Sequence, residues 1–165
     1  MSLNEKLSHN TEALMNKIGQ IADDQFQAKP DEETWSPAQV VEHLYRSEFG
    51  IPRLFTGETK VESDRDSEAI IEEMSVQSLD SDKKLKAKGV IIPGDEQKSK
   101  EELVSNFQSL REKIAVMADQ YKGSEICTSF AHPMFGYLTR EEWIYFNIFH
   151  TERHMGQIDR ILAKL

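Results

Sequence analysis

The sequence contains a single cysteine, Cys127, among its 165 residues. One thiol excludes an internal disulfide and any zinc site built from several thiolates. No apolar run approaches the roughly 20 residues that a membrane-spanning helix needs. The opening residues, MSLNEKLSHN, lack the basic and apolar segments of a secretory signal peptide. These absences predict a cytoplasmic protein that does not enter a membrane.

Basic residues are scarce relative to acidic ones, 20 against 29, so the formal net charge at pH 7 is -9. A surface with this excess of negative charge repels the phosphate backbone of nucleic acids and the head groups of anionic lipids. We therefore expect no nucleic-acid partner and no membrane partner. A chain of 165 residues can bury one proper core, and residues 1–165 are expected to form a single domain.

Four segments carry apolar residues at the 3.6-residue period of amphipathic helices. They cover about 3–25, 36–54, 99–121 and 139–165. A long polar connection, residues 56–98, joins the second segment to the third, and within it residues 67–77 could form a short helix. The sequence contains no convincing pair of strands. The pattern predicts an all-α protein, a four-helix bundle with a long crossover between the second and third helices.

Three of these helices begin with residues that favour helix starts. Ser36 can cap the second helix, and Pro37 fits its first position. The third and fourth helices start with the spacing of a capping box, a hydroxyl residue followed three positions later by glutamate. These pairs are Ser99 with Glu102 and Thr139 with Glu142. Gly50 and Pro52 are expected to bend or end the second helix.

The last helix carries two histidines, His150 and His154, in the stretch NIFHTERHMGQIDRI. At 100° per residue both fall on the same stripe as Trp143 and Ile158. A spacing of four places the rings on adjacent turns of one face, as two imidazoles need in order to bind one cation. Two hydrogen-bonded core histidines would show the same spacing, so the pair alone leaves both interpretations open.

A third histidine, His43, lies on the apolar stripe of the second helix. Ser47 and Gly50 share that stripe, and their small side chains leave room beside the imidazole ring. Three imidazole nitrogens from two helices could hold one divalent ion and leave positions open for water or substrate, which is the catalytic arrangement. We therefore predict His43, His150 and His154 as metal ligands.

The segment HTERH is not a metalloprotease motif. Thr151 stands where H-E-x-x-H requires glutamate, and Arg153 stands where the inverted motif requires it. Glu152 is expected on the opposite side of the helix from the two histidines. The sequence therefore shows no carboxylate general base and no catalytic residue beyond the metal centre, so the metal would have to supply most of the activation of a nucleophile.

The order of these motifs resembles the DinB-like superfamily. The segment FAHPMFGYLTREEWIYFNIFHTERHMGQIDRI has the family's HP-x2-G element, its capped helix with tryptophan, and its H-x3-H pair followed by glutamine. WSPAQVVEHLYRSE resembles the family segment that carries a lone histidine. KAKGVIIPGDEQKSKEELVSNFQSLREKI is similar to its crossover and third helix. Together these segments cover most of the chain.

The resemblance implies an up-down-down-up four-helix bundle in which His43, His150 and His154 bind a divalent metal, most often zinc or nickel. It also implies a homodimer and a small-molecule substrate. Characterised relatives include transferases and isomerases that use low-molecular-weight thiols, and others are described as metal-dependent hydrolases. We expect a thiol-dependent S-transferase that acts on small electrophiles. Two alternatives stay open: a hydrolase that uses metal-bound water, and a non-catalytic interaction protein in which the metal has only a structural role.

Three further residues are candidates for the surroundings of the metal. Gln157, one turn beyond His154, could orient a ring or bond a neighbouring helix. His132 of the HP-x2-G element either lines the cleft or holds its loop, and the fixed turn that follows it favours the second role. Ser47 would line the pocket beside the ring of His43.

The last helix also carries a second apolar stripe. Its residues are Ile144, Ile148, Met155 and Leu162. This stripe could pack against another helix of the same bundle, or it could form the homodimer interface.

Overall fold

The computed structural model describes residues 1–80 and 86–165, and seven α-helices form in that part of the chain. They are α1 (Leu3–Gly19), α2 (Asp23–Gln27), α3 (Pro37–Glu48), α4 (Ile51–Phe55), α5 (Ser67–Leu79), α6 (Lys100–Gln120) and α7 (Arg140–Leu162). A two-residue antiparallel ladder joins β1 (Thr59–Lys60) to β2 (Ile126–Cys127), with Thr59 opposite Cys127. A single turn of 3-10 helix covers Gly89–Ile91. The predicted all-α class is confirmed.

The ends of the long helices follow local rules. Both halves of a capping box form at Ser36 and at Thr139. At Ser99, in the described part of the chain, only the hydroxyl half of the predicted box forms. The predicted first helix is too long: it ends at Gly19, a poor helix former, and α2 follows as a separate turn. Pro52 occurs in the first turn of α4, where its missing N–H costs nothing.

The directions of the four bundle helices follow from their contacts. Contacts between α1 and α7 advance together, from Lys6 with Tyr145 to Lys17 with Asp159, so these helices are parallel. The last turn of α6 meets the first turn of α1, so these two are antiparallel. The end of α4, which continues the line of α3, meets the first residue of α7, so α3 is antiparallel to α7. The bundle formed by α1, α3, α6 and α7 is up-down-down-up, as predicted.

The apolar core consists of two clusters stacked along the bundle. One contains Leu7 of α1 and Ile148 of α7, and the other contains Leu14 and Ile158 of the same helices. Between the clusters, each bundle helix contributes a buried polar side chain. We refer to these four residues as the polar layer: Asn10, Glu48, Arg111 and Thr151.

The crossover packs on the two helices that carry the predicted ligands. Its helix α5 lies against α7, and the turn Gly89–Ile91 lies against α3. Gln39 of α3 donates to the carbonyl of Gly94, which fastens the second half of the crossover. The crossover therefore covers α3 beside His43, while its residues 81–85 lie outside the described residues. None of the described helices combines the length and the apolar content needed to cross a bilayer.

The second apolar stripe of the last helix packs inside the bundle. Ile144 and Ile148 are buried in the first cluster, and Met155 and Leu162 pack against the second. Intramolecular packing therefore explains the stripe. The homodimer stays a prediction from the resemblance.

Candidate metal centre

Three histidine side chains from two helices meet inside the bundle. His43 comes from α3, and His150 and His154 come from adjacent turns of α7. Nε2 of His150 lies 3.3 Å from Nε2 of His43 and 3.0 Å from Nε2 of His154. One ligand nitrogen from each ring lies within 4.8 Å of the other two. We refer to His43, His150 and His154 as the histidine triad.

Hydrogen bonds direct two of the rings towards the centre of the triad. The Nδ1–H of His43 donates to the backbone carbonyl of Ile91, at 2.8 Å. The Nδ1–H of His154 donates to Oε1 of Gln157, at 2.6 Å. Because a neutral imidazole carries one proton, a donating Nδ1 implies a lone pair on Nε2. Two such lone pairs face the centre, in the manner of metal-ligating histidines whose other nitrogen is hydrogen-bonded.

The pKa of each triad imidazole lies below its usual value. Burial is the largest cause for all three rings, and it lowers the pKa of His154 to about 3. Neighbouring rings of the triad lower the pKa of His150 and His154 further, because a proton on one ring disfavours a proton on the next. The triad is therefore neutral at physiological pH, and neutral imidazole is the form that binds a metal.

Aromatic rings enclose the triad on two sides. The Trp35 ring lies 5.1 Å from the His43 ring, centroid to centroid. Phe146 stacks on His150 with centroids 5.2 Å apart and an angle of 19° between the planes. His43 is 3% exposed, whereas His150 and His154 are half-buried. The centre is therefore apolar at its walls and reachable from solvent beside α7.

The donor set fits a divalent ion of the zinc class. Nitrogens bound at 2.0–2.1 Å to a tetrahedral ion lie about 3.3 Å apart, and two of the nitrogen pairs here are 3.3 Å and 3.0 Å apart. Lone pairs that converge at such distances repel unless a cation or a shared proton lies between them. In the described residues, the ligand cluster consists of the triad without a carboxylate. Three nitrogen ligands leave an open coordination position, as in catalytic zinc sites.

The sequence also matches a known family along most of its length. The family model of the DinB superfamily matches residues 5–158. The chain belongs to the DinB superfamily. The protein YuaE of Bacillus subtilis (strain 168), described as uncharacterized, is 25% identical over 154 residues, and the match covers 91% of each chain.

Among solved structures, YfiT from Bacillus subtilis is similar to this DinB-superfamily chain, with a TM-score of 0.61. The two sequences are 16% identical, and the match covers 96% of this chain and 83% of that one. YfiT is described as a probable metal-dependent hydrolase with an unusual four-helix bundle topology. This likeness confirms the bundle fold that the DinB-like resemblance implied.

Beside the triad of this DinB-superfamily protein lies a buried ion pair that the sequence-based predictions did not include. Arg111 Nε and Nη2 donate to the two carboxylate oxygens of Glu48, each at 2.6 Å. The guanidinium also donates to the side chains of Asn10, Thr11 and Thr151. Every guanidinium nitrogen thus has an acceptor, which a buried arginine requires.

The Arg111 network joins the two helices that must bring the triad together. Glu48 lies on α3, five residues after His43, and Thr151 directly follows His150 on α7. A signal for it exists in the sequence, because position 111 shares a helical stripe with Phe107 and other core residues of α6. A charged residue on a core stripe predicts a buried ionic partner.

The three predicted neighbours of the metal take different places. Gln157 bonds His154 directly. The Ser47 hydroxyl donates instead to the carbonyl of His43 in its own helix, at 2.8 Å. Nδ1 of His132 accepts the backbone N–H groups of two residues in its loop, 134 and 135, and its ring packs on Phe146 at 4.3 Å. His132 therefore holds its loop and reaches the triad through Phe146.

Replacing Gln157 by leucine is expected to weaken zinc binding about 10- to 100-fold, the usual effect of losing a partner that orients a metal-binding histidine. The substitution removes the oxygen that accepts the His154 Nδ1–H. Titration against a chromophoric chelator measures the affinity. Gln157→Glu keeps an acceptor oxygen and should bind zinc at least as tightly as the unsubstituted protein. Equal affinities for the leucine and glutamate variants would contradict this role.

We expect the free energy of unfolding to fall as the pH drops from about 6.5 to about 4, in part because of His132. Burial lowers its pKa from 6.5 to about 4. Between those values the unfolded chain binds a proton that the folded chain does not, so acid favours unfolding. The protonated Nδ1 could also no longer accept two backbone N–H groups.

The measurement for His132 is denaturant unfolding at several pH values. His132→Asn serves as the comparison, because an amide oxygen can accept the same bonds without titrating. The variant should lose less stability between pH 6.5 and pH 4 than the unsubstituted protein. Parallel pH profiles for the two proteins would show that His132 does not contribute.

Proposed function

We propose that this protein is a metal-dependent enzyme that activates a small nucleophile at the histidine triad. The observation that carries the proposal is the convergence of three neutral imidazole nitrogens in a half-buried, aromatic-walled site. When bound there, a divalent ion such as zinc or nickel would supply Lewis acidity and lower the pKa of a coordinated thiol or water. Similarity in fold to YfiT agrees with this general class.

The protein's own groups would bind and orient rather than transfer protons. His43 and His154 both use Nδ1 as a donor, to a carbonyl and to Gln157, so neither Nδ1 can act as a base. Glu152 is exposed on the far side of α7. A reaction that needs no protein base is therefore favoured here.

Thiol transfer is the reaction that we propose first. A low-molecular-weight thiol loses its proton readily once its pKa is lowered, and the thiolate then needs no further base. Attack on an electrophilic carbon forms a carbon–sulfur bond, the leaving group departs with the bonding electrons, and the thiol proton passes to solvent. The aromatic wall formed by Phe146 and Trp35 suits a small apolar electrophile.

Hydrolysis is the second candidate, because YfiT is described as a probable metal-dependent hydrolase. Water would then replace the thiol as the nucleophile in the same site. Its attack on an ester or amide normally gains from a positioned general base, and the ligand cluster of the described residues contains no carboxylate.

One experiment separates these reactions. Zinc- or nickel-loaded protein is incubated with 1-chloro-2,4-dinitrobenzene or p-nitrophenyl acetate, with and without glutathione, bacillithiol or mycothiol. We expect a thioether from the chloro compound, or a thioester from the acetate ester, that requires one thiol, is lost on chelation, returns with added metal and is absent in His43→Ala. Product release without any thiol would favour hydrolysis. Turnover that persists unchanged in His43→Ala would contradict both forms of the proposal.

A further inference from the structure

Buried side-chain nitrogens without a hydrogen-bond partner collect on one face of α7. In the described residues these atoms are Nε1 of Trp143, Nδ2 of Asn147 and Nδ1 of His150. Trp143 is 4% exposed and Asn147 is 1% exposed. Of the other two such atoms among the described residues, Oε2 of Glu42 on α3 is ion-paired with Lys98 Nζ at 2.5 Å, which leaves Oδ1 of Asn4 on α1. Lone buried donors are rare in native proteins, so their occurrence on one helix needs a specific explanation.

The spacing of these residues aligns them with the triad. Positions 143, 147, 150 and 154 are separated by four, three and four residues, which is one continuous stripe of an α-helix. At 1.5 Å per residue, Asn147 lies about 5 Å and Trp143 about 10 Å along the axis from His150. The stripe therefore leads from the metal ligands towards the start of α7.

A row of aromatic rings runs along the same direction of α7. The Trp143 ring lies 6.1 Å from the rings of Phe146 and Phe130 and 5.5 Å from His132, between centroids. Phe146 in turn stacks on His150. An apolar molecule that touches Phe146 would thus have the triad at one end and Trp143 at the other, with Asn147 between them on the helix axis.

The buried side-chain amide of Asn10 has a structural role, and both its nitrogen and its oxygen are hydrogen-bonded within the protein. Its Nδ2 donates to the carbonyl of Ile148 at 3.2 Å, and its Oδ1 accepts from Arg111 at 3.0 Å. Asn147 lies on the neighbouring turns of the same core, yet its Nδ2 finds no acceptor in the described part of the chain. No hydrogen bond within the described residues explains why the Nδ2 group of Asn147 is buried, whereas a ligand that supplies an acceptor would explain it.

We propose that Trp143 and Asn147 form a recognition site for a carbonyl oxygen of the substrate. The inference rests on the proposed function, because it assigns the far end of a molecule whose reactive carbon faces the triad. Indole N–H and amide NH2 are donors only, so the ligand must present an acceptor. Neither group carries charge, and the charge of nearby Arg111 is neutralised by Glu48. In the metal-free protein a buried carboxylate would therefore remain uncompensated, which favours a neutral amide, ester or ketone.

The first test compares the same substitution at two buried asparagines. Asn10→Leu breaks two hydrogen bonds and should lower the melting temperature by at least about 4 °C. Asn147→Leu removes an unpartnered donor and should leave the melting temperature unchanged or raise it, as is common for residues kept for function. An equal fall in both variants would show that Asn147 is bonded within the protein and would overturn the proposal.

The second test detects ligand binding at Trp143 directly. The two tryptophans give two indole N–H signals in a 15N-labelled NMR spectrum, and Trp35→Phe assigns them. We expect acetamide to shift the Trp143 signal in a saturable way, with affinity about tenfold weaker in Asn147→Leu, the effect of one hydrogen bond. No saturable shift, which would leave water as the ordinary partner, or an equal affinity in the variant, would overturn the proposal. A stronger response to acetate in the zinc-free protein would overturn the assignment to a neutral acceptor.

Recording both spectra with and without zinc separates this inference from the proposed function. An acetamide-dependent shift in protein that fails to bind zinc would support the carbonyl site and rule out the proposed metal-dependent function. Zinc binding with no acetamide response at Trp143 would support the proposed metal-dependent function and rule out the carbonyl site.

Discussion

Replacing His150 by alanine is expected to abolish stoichiometric zinc binding. His150 is the central ring of the triad, since its Nε2 lies 3.3 Å from one partner nitrogen and 3.0 Å from the other. Its loss leaves two ligands from different helices, and two imidazoles rarely hold zinc tightly. The affinity should fall by more than about 100-fold, beyond the 10- to 100-fold effect of a partner outside the coordination sphere.

His9→Ala is the matched control for this experiment. His9 is exposed on α1, far in sequence from the triad, and the same substitution there should leave zinc affinity unchanged. Both variants are titrated with zinc against a chelator after circular dichroism has established that they are folded. Tight, stoichiometric binding that survives in His150→Ala would show that the ion lies elsewhere.

Replacing Glu48 by leucine is expected to cost about 3–5 kcal/mol of unfolding free energy, the usual result of removing one partner of a buried ion pair. Arg111 is 2% exposed and would keep its charge, because a guanidinium does not deprotonate in a protein. Burial raises the pKa of the Glu48 carboxyl, and Arg111 opposes that rise. The two charges are therefore acceptable in the core only as a pair.

Urea unfolding of the double variant Glu48→Leu/Arg111→Met completes the cycle. Because this variant removes both charges, it should be more stable than the single Glu48→Leu variant. Lys17→Met provides a surface comparison, since the Lys17–Asp159 pair at 2.5 Å is solvent-exposed and should contribute no more than about 1 kcal/mol. If the effects of Glu48→Leu and Arg111→Met simply add, the two charges are not coupled.

The meeting of the histidines could be predicted because it depends on helical phase. His150 and His154 share the stripe of Ile158, and His43 shares the stripe of Val40, so both helices had to present imidazole to the core. The resemblance to the DinB-like pattern then implied that the histidines of the two helices meet at one metal ion. Which nitrogen of the His43 ring faces inward could not be predicted, because that depends on Ile91, a residue of the crossover.

Features that depend on pairing across long sequence distances were missed. The ladder between Thr59 and Cys127 is too short to produce an alternating pattern in either segment. Arg111 and Glu48 are 63 positions apart, and although Arg111 lies on the core stripe of α6, neither helix considered alone identifies its partner. Trp143 was placed on the core side of the last helix by its periodicity, whereas Asn147 was not singled out, and periodicity does not reveal that either donor lacks an acceptor.

The most direct test of the central claim is anomalous diffraction at the zinc edge from crystals of the untagged protein grown with zinc. The account predicts one strong peak about 2.0–2.1 Å from Nε2 of His43, His150 and His154. The ordinary electron-density map from the same crystals should show Gln157 at Nδ1 of His154, on the side of the ring opposite the metal. A fully ordered triad without a peak, or a peak bound through Nδ1 or at other residues, would contradict it.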